Sequence, residues 1–477
     1  MATSFRDPAG QLIPLNGRIL RVINQIGQPD LRAFLDSAQS RRLIDAGRLV
    51  RTEVLDQDAA AALANTGLLE QFAQPDEALI LEHERVPFPS FPYEWPPEML
   101  HEAGVLTLDL AESLLDDGFG LKDATPYNIL FKGPRAVFVD WLSFERRDPN
   151  DPTWLPYAQF VRTFLLPLLV SKHFNLRFDQ FLIANRDGLE PEQVYRLGGP
   201  IRRLLPPMLT LVSLPTWLGS SGASDAKTYQ PRRAASPEKA RFILRHLFKG
   251  LRRKLAQVAP REGKSSTWSD YMSQNRYTED YFPLKQSFVE GAIDQFGASR
   301  VLDVGCNVGF FSELAARRGA SVVGIDYDPV VVGQVWRRAR AESLDILPLV
   351  VNLARPTPNT GWLNQECASF LDRARGSFDV VFMLAVIHHM LVTERIPLQS
   401  ILRLAGELTT RLLVIEYVPP DDQMFRRLTR GRDNLHADFT RDNFETACNE
   451  LFEIVRSEPL GASGRWLYLL RKRNENT

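Results

Sequence analysis

Apolar residues recur along this chain in two rhythms, and the change between them divides it. From residue 301 onward, short continuous apolar runs read as buried strands at 301–304, 321–328, 346–354, 378–384 and 411–422. Helical spacing follows the first two of these runs, with Phe310, Phe311, Leu314 and Ala315 on one stripe and another pattern over 329–341. Further helices are expected at 424–430 and 441–451. Two last apolar runs within 452–472 flank Leu460-Gly461-Ala462-Ser463-Gly464 with no helix between them, which predicts a closing antiparallel hairpin. The expectation for this part is an α/β unit built on a seven-stranded sheet.

Before residue 219 the pattern is different. Residues 19–24 and 78–84 read as strands, and 31–49, 59–72 and 99–115 as helices. A segment dense in proline and aromatic residues, FPSFPYEWPP, separates the second strand from the third helix, and proline there favours an extended connection. Within 120–145 two short strands flank the turn Gly133-Pro134, and 148–218 is mostly helical, so this part is expected to be a mostly helical α+β unit. Residues 219–240 are small, polar and proline-bearing, as in a linker. Residues 240–258 form a basic amphipathic helix, with Leu244, Leu247, Phe248, Leu251 and Leu255 as its apolar stripe. The stripe fits either a peripheral membrane contact or a connector packed on its own domain. Three regions result: 1–218, 219–266 and 267–477.

Composition narrows the classes. The 477 residues leave room for two or three domains, and 57 basic against 58 acidic residues give a net charge of −1, which excludes a generic nucleic-acid binder. Three cysteines far apart, Cys306, Cys367 and Cys448, make neither a disulfide framework nor a zinc cluster. The N-terminal MATSFRDPAGQL has no apolar signal core, and the longest apolar runs, 160–170 and 204–219, are too short or too proline-broken to span a membrane. A cytoplasmic protein is expected.

The chemistry centres on 301–312, VLDVGCNVGFFS: a strand, a turn containing Gly305, Asn307 and Gly309, and a helix. Glycine lets a backbone turn sharply with a ligand against it, and Asn tolerates left-handed angles better than most residues. Asp326 ends the next strand about 20 residues on, the offset at which a carboxylate accepts ribose hydroxyls. A dinucleotide site keeps a third glycine for pyrophosphate. Asp303 at the strand end would repel a pyrophosphate and hold a cationic amino-acid moiety, so the pattern favours S-adenosyl-L-methionine over NAD.

DVGCNVGFFS, VVGIDYD and the later FDVVFMLAVIHHM resemble motifs of class I S-adenosylmethionine-dependent methyltransferases, in matching order. The resemblance implies a Rossmann-like sheet with the closing hairpin that NAD-binding sheets lack. It places Asp303, Gly305, Asn307 and Gly309 on the methionine part, Asp326 on the ribose and Asn352 on the adenine amine. The segment 267–293 would lid the cofactor, with Trp268, Tyr271, Tyr277 and Lys285 as contacts or as packing and surface charge. His388 and His389 follow the fourth strand, where ligands lie beyond strand ends. Either is a general base for a hydroxyl, or one caps the next helix. Glu416, Tyr417 and Asp421 at the fifth strand are expected near the acceptor.

GLKDATPYNILF with VFVD resembles the catalytic and metal-binding loops of protein-kinase-like and aminoglycoside-phosphotransferase-like folds. That resemblance would make Asp123 a base and Asn128 and Asp140 Mg²⁺ ligands. The sequence departs from it: the first lysine is Lys122, no Gly-rich loop is evident, and no Gly follows Asp140. A relic that holds substrate, an active kinase and chance likeness all remain open. Together with FPYEWPPEML and VIEYVPPDD, these pieces resemble bacterial nodulation-protein-like methyltransferases. The readings are methyl transfer to an oxygen or nitrogen of a small molecule or glycan, a bifunctional kinase–methyltransferase acting on a polysaccharide or its precursor, and a non-catalytic cofactor-binding scaffold.

Overall fold

The structure is a computed structural model that describes residues 6–56, 58–59, 79–219, 233–261 and 277–473. The chain begins with a four-stranded antiparallel sheet, ordered β1 (Gly10–Leu15), β2 (Arg18–Ile23), β4 (Leu79–His83), β3 (Thr52–Val54). Asn16 and Gly17 join β1 to β2 with φ of 47° and 83°. Both residues tolerate the left-handed region, and an Asn-Gly pair suits a tight hairpin. The expected helix over 31–49 is instead two helices, α1 (Gln28–Leu35) and α2 (Ala38–Asp45). Ser37 breaks the run because its side chain accepts the Ser40 N–H and so starts a new helix. Most of the helix expected over 59–72 lies outside the described residues.

Helix α3 (Pro97–Ser113) crosses the core, and its mostly apolar surface explains why. Two small antiparallel pairs follow: β5 (Phe119–Leu121) with β8 (Phe144–Arg146), and, between them in sequence, the hairpin of β6 (Ile129–Lys132) with β7 (Arg135–Phe138). Helix α4 (Leu166–Phe174) and the basic helix α5 (Pro237–Val258) complete this part. The stripe of α5 is spent inside the protein. Leu244, Phe248, Leu251 and Leu255 are buried, α5 lies along α3, and Phe248 meets the Trp154 ring edge-on at 5.2 Å. Of its larger apolar side chains only Phe242 and Ile243 stay exposed.

The C-terminal part opens with α6 (Tyr277–Phe296) and a seven-stranded sheet. Its strands are β9 (Arg300–Val304), β10 (Ser321–Asp326), β11 (Ile346–Val350), β12 (Phe378–Met383), β13 (Thr409–Tyr417), β14 (Phe452–Pro459) and β15 (Trp466–Lys472). The order is β11-β10-β9-β12-β13-β15-β14, with the first five parallel and β15 antiparallel to both β13 and β14. Helices α7 (Phe310–Arg317) and α8 (Pro329–Glu342) follow β9 and β10. The order switches at β9, with neighbours β10 and β12 on either side, so the carboxyl ends of these strands open a crevice between them. Helix α8 also lies against α3, with Arg340 paired to Glu102 at 2.6 Å, and its Trp336 Nε1 donates to the Pro134 carbonyl in the β6–β7 turn at 3.1 Å.

Candidate functional site

Beyond the carboxyl ends of β9 to β12 lies a cavity of about 570 Å³. It is lined by Asp303, Gly305, Asn307, Asp326, Asn352, His388, His389 and Lys285, among others. That volume and its mixed lining suit a ligand larger than an amino acid.

The glycine turn shapes one wall. Gly305 has φ of 69°, and a Cβ there would stand 2.6 Å from Val386 Cγ2. Asn307 has φ of 48° and keeps its Oδ1 buried with no hydrogen-bond partner among the described residues. A buried acceptor left open beside a cavity is costly unless a ligand donor meets it. Gly309 is different. It caps α7 with φ of 82°, a Cβ would meet Val335 Cγ2 at 2.7 Å, and it is not among the lining residues. Its glycine requirement comes from packing against α8.

Two carboxylates face this turn. Asp303 is almost fully buried and accepts the Ser312 hydroxyl at 2.6 Å. Burial raises its pKa to about 6, with the Ser312 bond opposing and the Asp326 charge adding to the rise. Burial also raises Asp326, against the backbone N–H groups of Asp328 and Asn307, each 3.0 Å from its oxygens. A cation and a pair of hydroxyl donors are the groups such carboxylates would accept. Asn352 lines the cavity too, and its Oδ1 already accepts the Ala354 N–H at 2.9 Å. Cys306 packs near Gly324, and burial holds its thiol well above the usual range, so it is no nucleophile.

His388 and His389 lie in the first turn of α9 (Ile387–Val392), their ring centroids 4.3 Å apart. Burial lowers both, and His389 and then the charges of Arg465 and Lys285 lower His388 further, so His388 is neutral. Its Nδ1 is buried without a hydrogen-bond partner among the described residues.

Lys285, expected at the cofactor, lines the cavity while pairing with Glu416 at 2.7 Å. Glu416 is fully buried and also takes Arg465 at 3.2 Å. Burial pushes its pKa up, but the two cations and their hydrogen bonds outweigh that and hold it below the usual carboxylate range. Arg465 in turn pairs with Asp422 at 2.8 Å, and Asp422 caps α10 (Gln423–Thr429). Arg465 and Asp422 both line the cavity, and sequence reasoning missed them. The available signal was Glu416, a charge inside an apolar strand that must find cations. Tyr417 is spent in the core, donating to the Phe439 carbonyl at 3.1 Å, and Asp421 is exposed and not among the lining residues. Trp268 and Tyr271 lie outside the described residues, as does the side chain of Tyr277.

In the N-terminal part Asp123, Asn128 and Asp140 lie on neighbouring turns. Asp140 pairs with Arg21 of β2 and accepts the Ser143 hydroxyl at 2.6 Å, while Asn128 donates to that same hydroxyl at 2.9 Å. Burial raises Asp140, yet Arg21 and Ser143 bring it below its ordinary value. Asp123 is raised by burial and by the Asp140 charge, and accepts from Gln159 at 3.4 Å. Asp140 and Asn128 thus satisfy each other's surroundings through Arg21 and Ser143. Among the described residues no group of three or more His, Cys, Asp or Glu is arranged to hold a metal ion.

Residues 302–406 match the family described as "Methyltransferase domain". The chain is 30% identical over 481 residues to nodulation protein NoeA of Rhizobium meliloti (strain 1021), covering 99% of this chain and 96% of that protein. It is 29% identical over 138 residues to ubiquinone biosynthesis O-methyltransferase of Pseudomonas fluorescens (strain SBW25), covering 28% of this chain and 52% of that protein. Among solved structures, N-methyltransferase NodS from Bradyrhizobium japonicum WM9 with S-adenosyl-l-homocysteine superposes with a TM-score of 0.31 at 14% identity, over 43% of this chain and 91% of NodS.

Proposed function

Because this chain belongs to the family of nodulation protein NoeA and is an S-adenosylmethionine-dependent methyltransferase, we propose that it methylates an oxygen or nitrogen of a small-molecule or glycan-type acceptor. One observation carries the site assignment: Asp303, Gly305, Asn307, Asp326 and Asn352, from three separate stretches of the sequence, line one cavity together with His388 and His389.

The residues fit the cofactor. In this reading Asp303 pairs with the ammonium of the methionine part, the open Oδ1 of Asn307 accepts a donor from it, Asp326 takes the ribose hydroxyls and Asn352 meets the adenine. S-adenosylmethionine, when bound, supplies a methyl group on a positively charged sulfur. The chain's own contribution is alignment, exclusion of water and removal of a proton. His388 is suited to the last task, because a neutral imidazole can take a proton from an acceptor hydroxyl. The name of the ubiquinone-pathway relative, an O-methyltransferase, supports an oxygen acceptor.

The ion pairs Lys285–Glu416 and Arg465–Asp422 tie α6, β13, the hairpin turn and α10 together on the cavity's other wall. In the same reading they fix the acceptor's side of the pocket. The N-terminal part serves as a substrate-holding or supporting module, a view supported by the pairing of Asp140 with Arg21.

The test is calorimetric titration of the intact chain with S-adenosylhomocysteine, followed by transfer of labelled methyl from S-adenosylmethionine to panels of hydroxylated and aminated glycans and small phenols. One site per chain and label on any acceptor support the proposal. Cofactor binding with no transfer to any acceptor class favours a scaffold.

A further inference from the structure

A second cavity, of about 130 Å³, lies where the two parts of the chain meet. Its charged walls are Glu98 of α3, Lys172 of α4, Arg177 just beyond α4, Arg261 beyond α5, and Arg337 of α8. Four cations thus converge on a space with one carboxylate. Glu98 is committed to Arg337, and Arg177 to Asp179 at 2.8 Å. Lys172 donates to the Gln257 carbonyl at 2.8 Å. Neither Lys172 nor Arg261 has an ion-pair partner among the described residues.

The surplus charge is felt nearby. Burial and then the Arg261 charge lower the Lys172 pKa. Burial, Lys172, Arg202 and Arg261 lower His173, and burial and Lys172 lower His101. Like charges held in a concave site repel one another, and an anion between them relieves that repulsion. Arg adds a planar donor fork and Lys a mobile point charge, the pairing that suits a tetrahedral oxyanion. The space is far smaller than the cofactor cavity, so it admits a compact group.

We propose that this cavity is an anion site that takes a phosphate or phosphomonoester group between Lys172 and Arg261. The site touches the cofactor cavity through the contact of Arg177 with Tyr327. Arg177 stacks over the Tyr327 ring, 4.1 Å from its centroid, and donates to its hydroxyl at 2.7 Å. Tyr327 lines the cofactor cavity next to Asp326. The inference does not depend on the methyltransferase assignment.

The experiment is calorimetric titration of the full chain, in low-chloride buffer, with inorganic phosphate and separately with glucose 1-phosphate. The expected result is saturable binding at one site per chain by at least one of them, weakened tenfold or more in Arg261→Met and in Lys172→Met. Arg261 is exposed, so its variant keeps the fold, and a matching circular dichroism melt checks that. Tighter binding of the ester points to an organic phosphate as the natural occupant, and tighter binding of the free ion to phosphate itself. Absence of saturable binding by both probes, or equal binding in the Arg261→Met variant, overturns the proposal.

Discussion

Arg373 and Glu94, 279 positions apart in the chain, form an ion pair almost wholly shut off from water. Glu94 also accepts the Thr357 hydroxyl at 2.5 Å and the Phe91 N–H at 3.1 Å, while Arg373 donates to the Pro89 carbonyl and lies over the rings of Phe88 and Phe91. The proline-aromatic segment that separates two N-terminal elements is therefore a clasp on the methyltransferase part. Replacing one partner of a buried pair leaves the other charge uncompensated, so Arg373→Met is expected to cost about 3–5 kcal/mol of stability. Urea denaturation of the variant and of Arg373→Met/Glu94→Gln measures it. The double variant should recover part of the loss, and an unchanged midpoint in the single variant would show that the clasp adds nothing.

If Asp303 pairs with the methionine ammonium as proposed, it gives cofactor binding a pH dependence. Its pKa in the folded chain is about 6, above the ordinary 3.8, so it is ionised only above about pH 6. A ligand ammonium selects the ionised form. Affinity for S-adenosylhomocysteine should then be full above pH 6 and fall by about tenfold per unit below it. Calorimetry from about pH 5 to about pH 7.5 gives the profile, and Asp303→Asn should flatten it. A flat profile for the unaltered chain would remove Asp303 from the ammonium.

His388 predicts a stability slope of definite sign. Its folded pKa lies well below its ordinary 6.5, so the unfolded chain binds the extra proton. Its contribution is fully present above pH 6.5 and is lost progressively as pH falls below it. His388→Gln should reduce the slope of the melting temperature over that window. If His388 also takes the acceptor proton, the same variant lowers kcat by roughly 10²–10⁴ while binding S-adenosylhomocysteine normally. Equal kcat in the variant would leave His388 a structural residue.

Asp326→Ala should weaken S-adenosylhomocysteine binding by about 1.5–3 kcal/mol, the worth of hydrogen bonds to a charged group. The carboxylate also steadies the turn through the Asn307 N–H, so Asp326→Asn, which keeps an acceptor oxygen, should lose less. Unaltered affinity in both variants would take Asp326 out of the site.

Asp140→Asn should leave methyl transfer and S-adenosylhomocysteine affinity unchanged, since Asp140 is occupied by Arg21 and Ser143 away from the large cavity. Loss of transfer in a folded variant that still binds the cofactor analogue would assign the N-terminal part a role in the reaction itself.

Much of the C-terminal part was legible because its cues are local. The run Val301 to Val304, the turn around Asn307 and the acidic end of β10 each declare themselves within a few residues. The roles of Gly309 and Tyr417 were not legible, because a glycine pressed on Val335 and a tyrosine donating to Phe439 look the same in sequence as residues facing a ligand. Likewise, the stripe on α5 has the same spacing whether it meets a lipid surface or α3.

The sequence by itself determined the succession of strands in the C-terminal part, its antiparallel close and the left-handed turn, since these follow from apolar period and backbone sterics over short windows. Only the tertiary structure decided which charges meet. Lys285 with Glu416, Arg21 with Asp140 and Arg373 with Glu94 join residues more than a hundred positions apart. A buried charge must find a partner, but which partner depends on how the sheet and helices fold back on one another, and no local pattern encodes that.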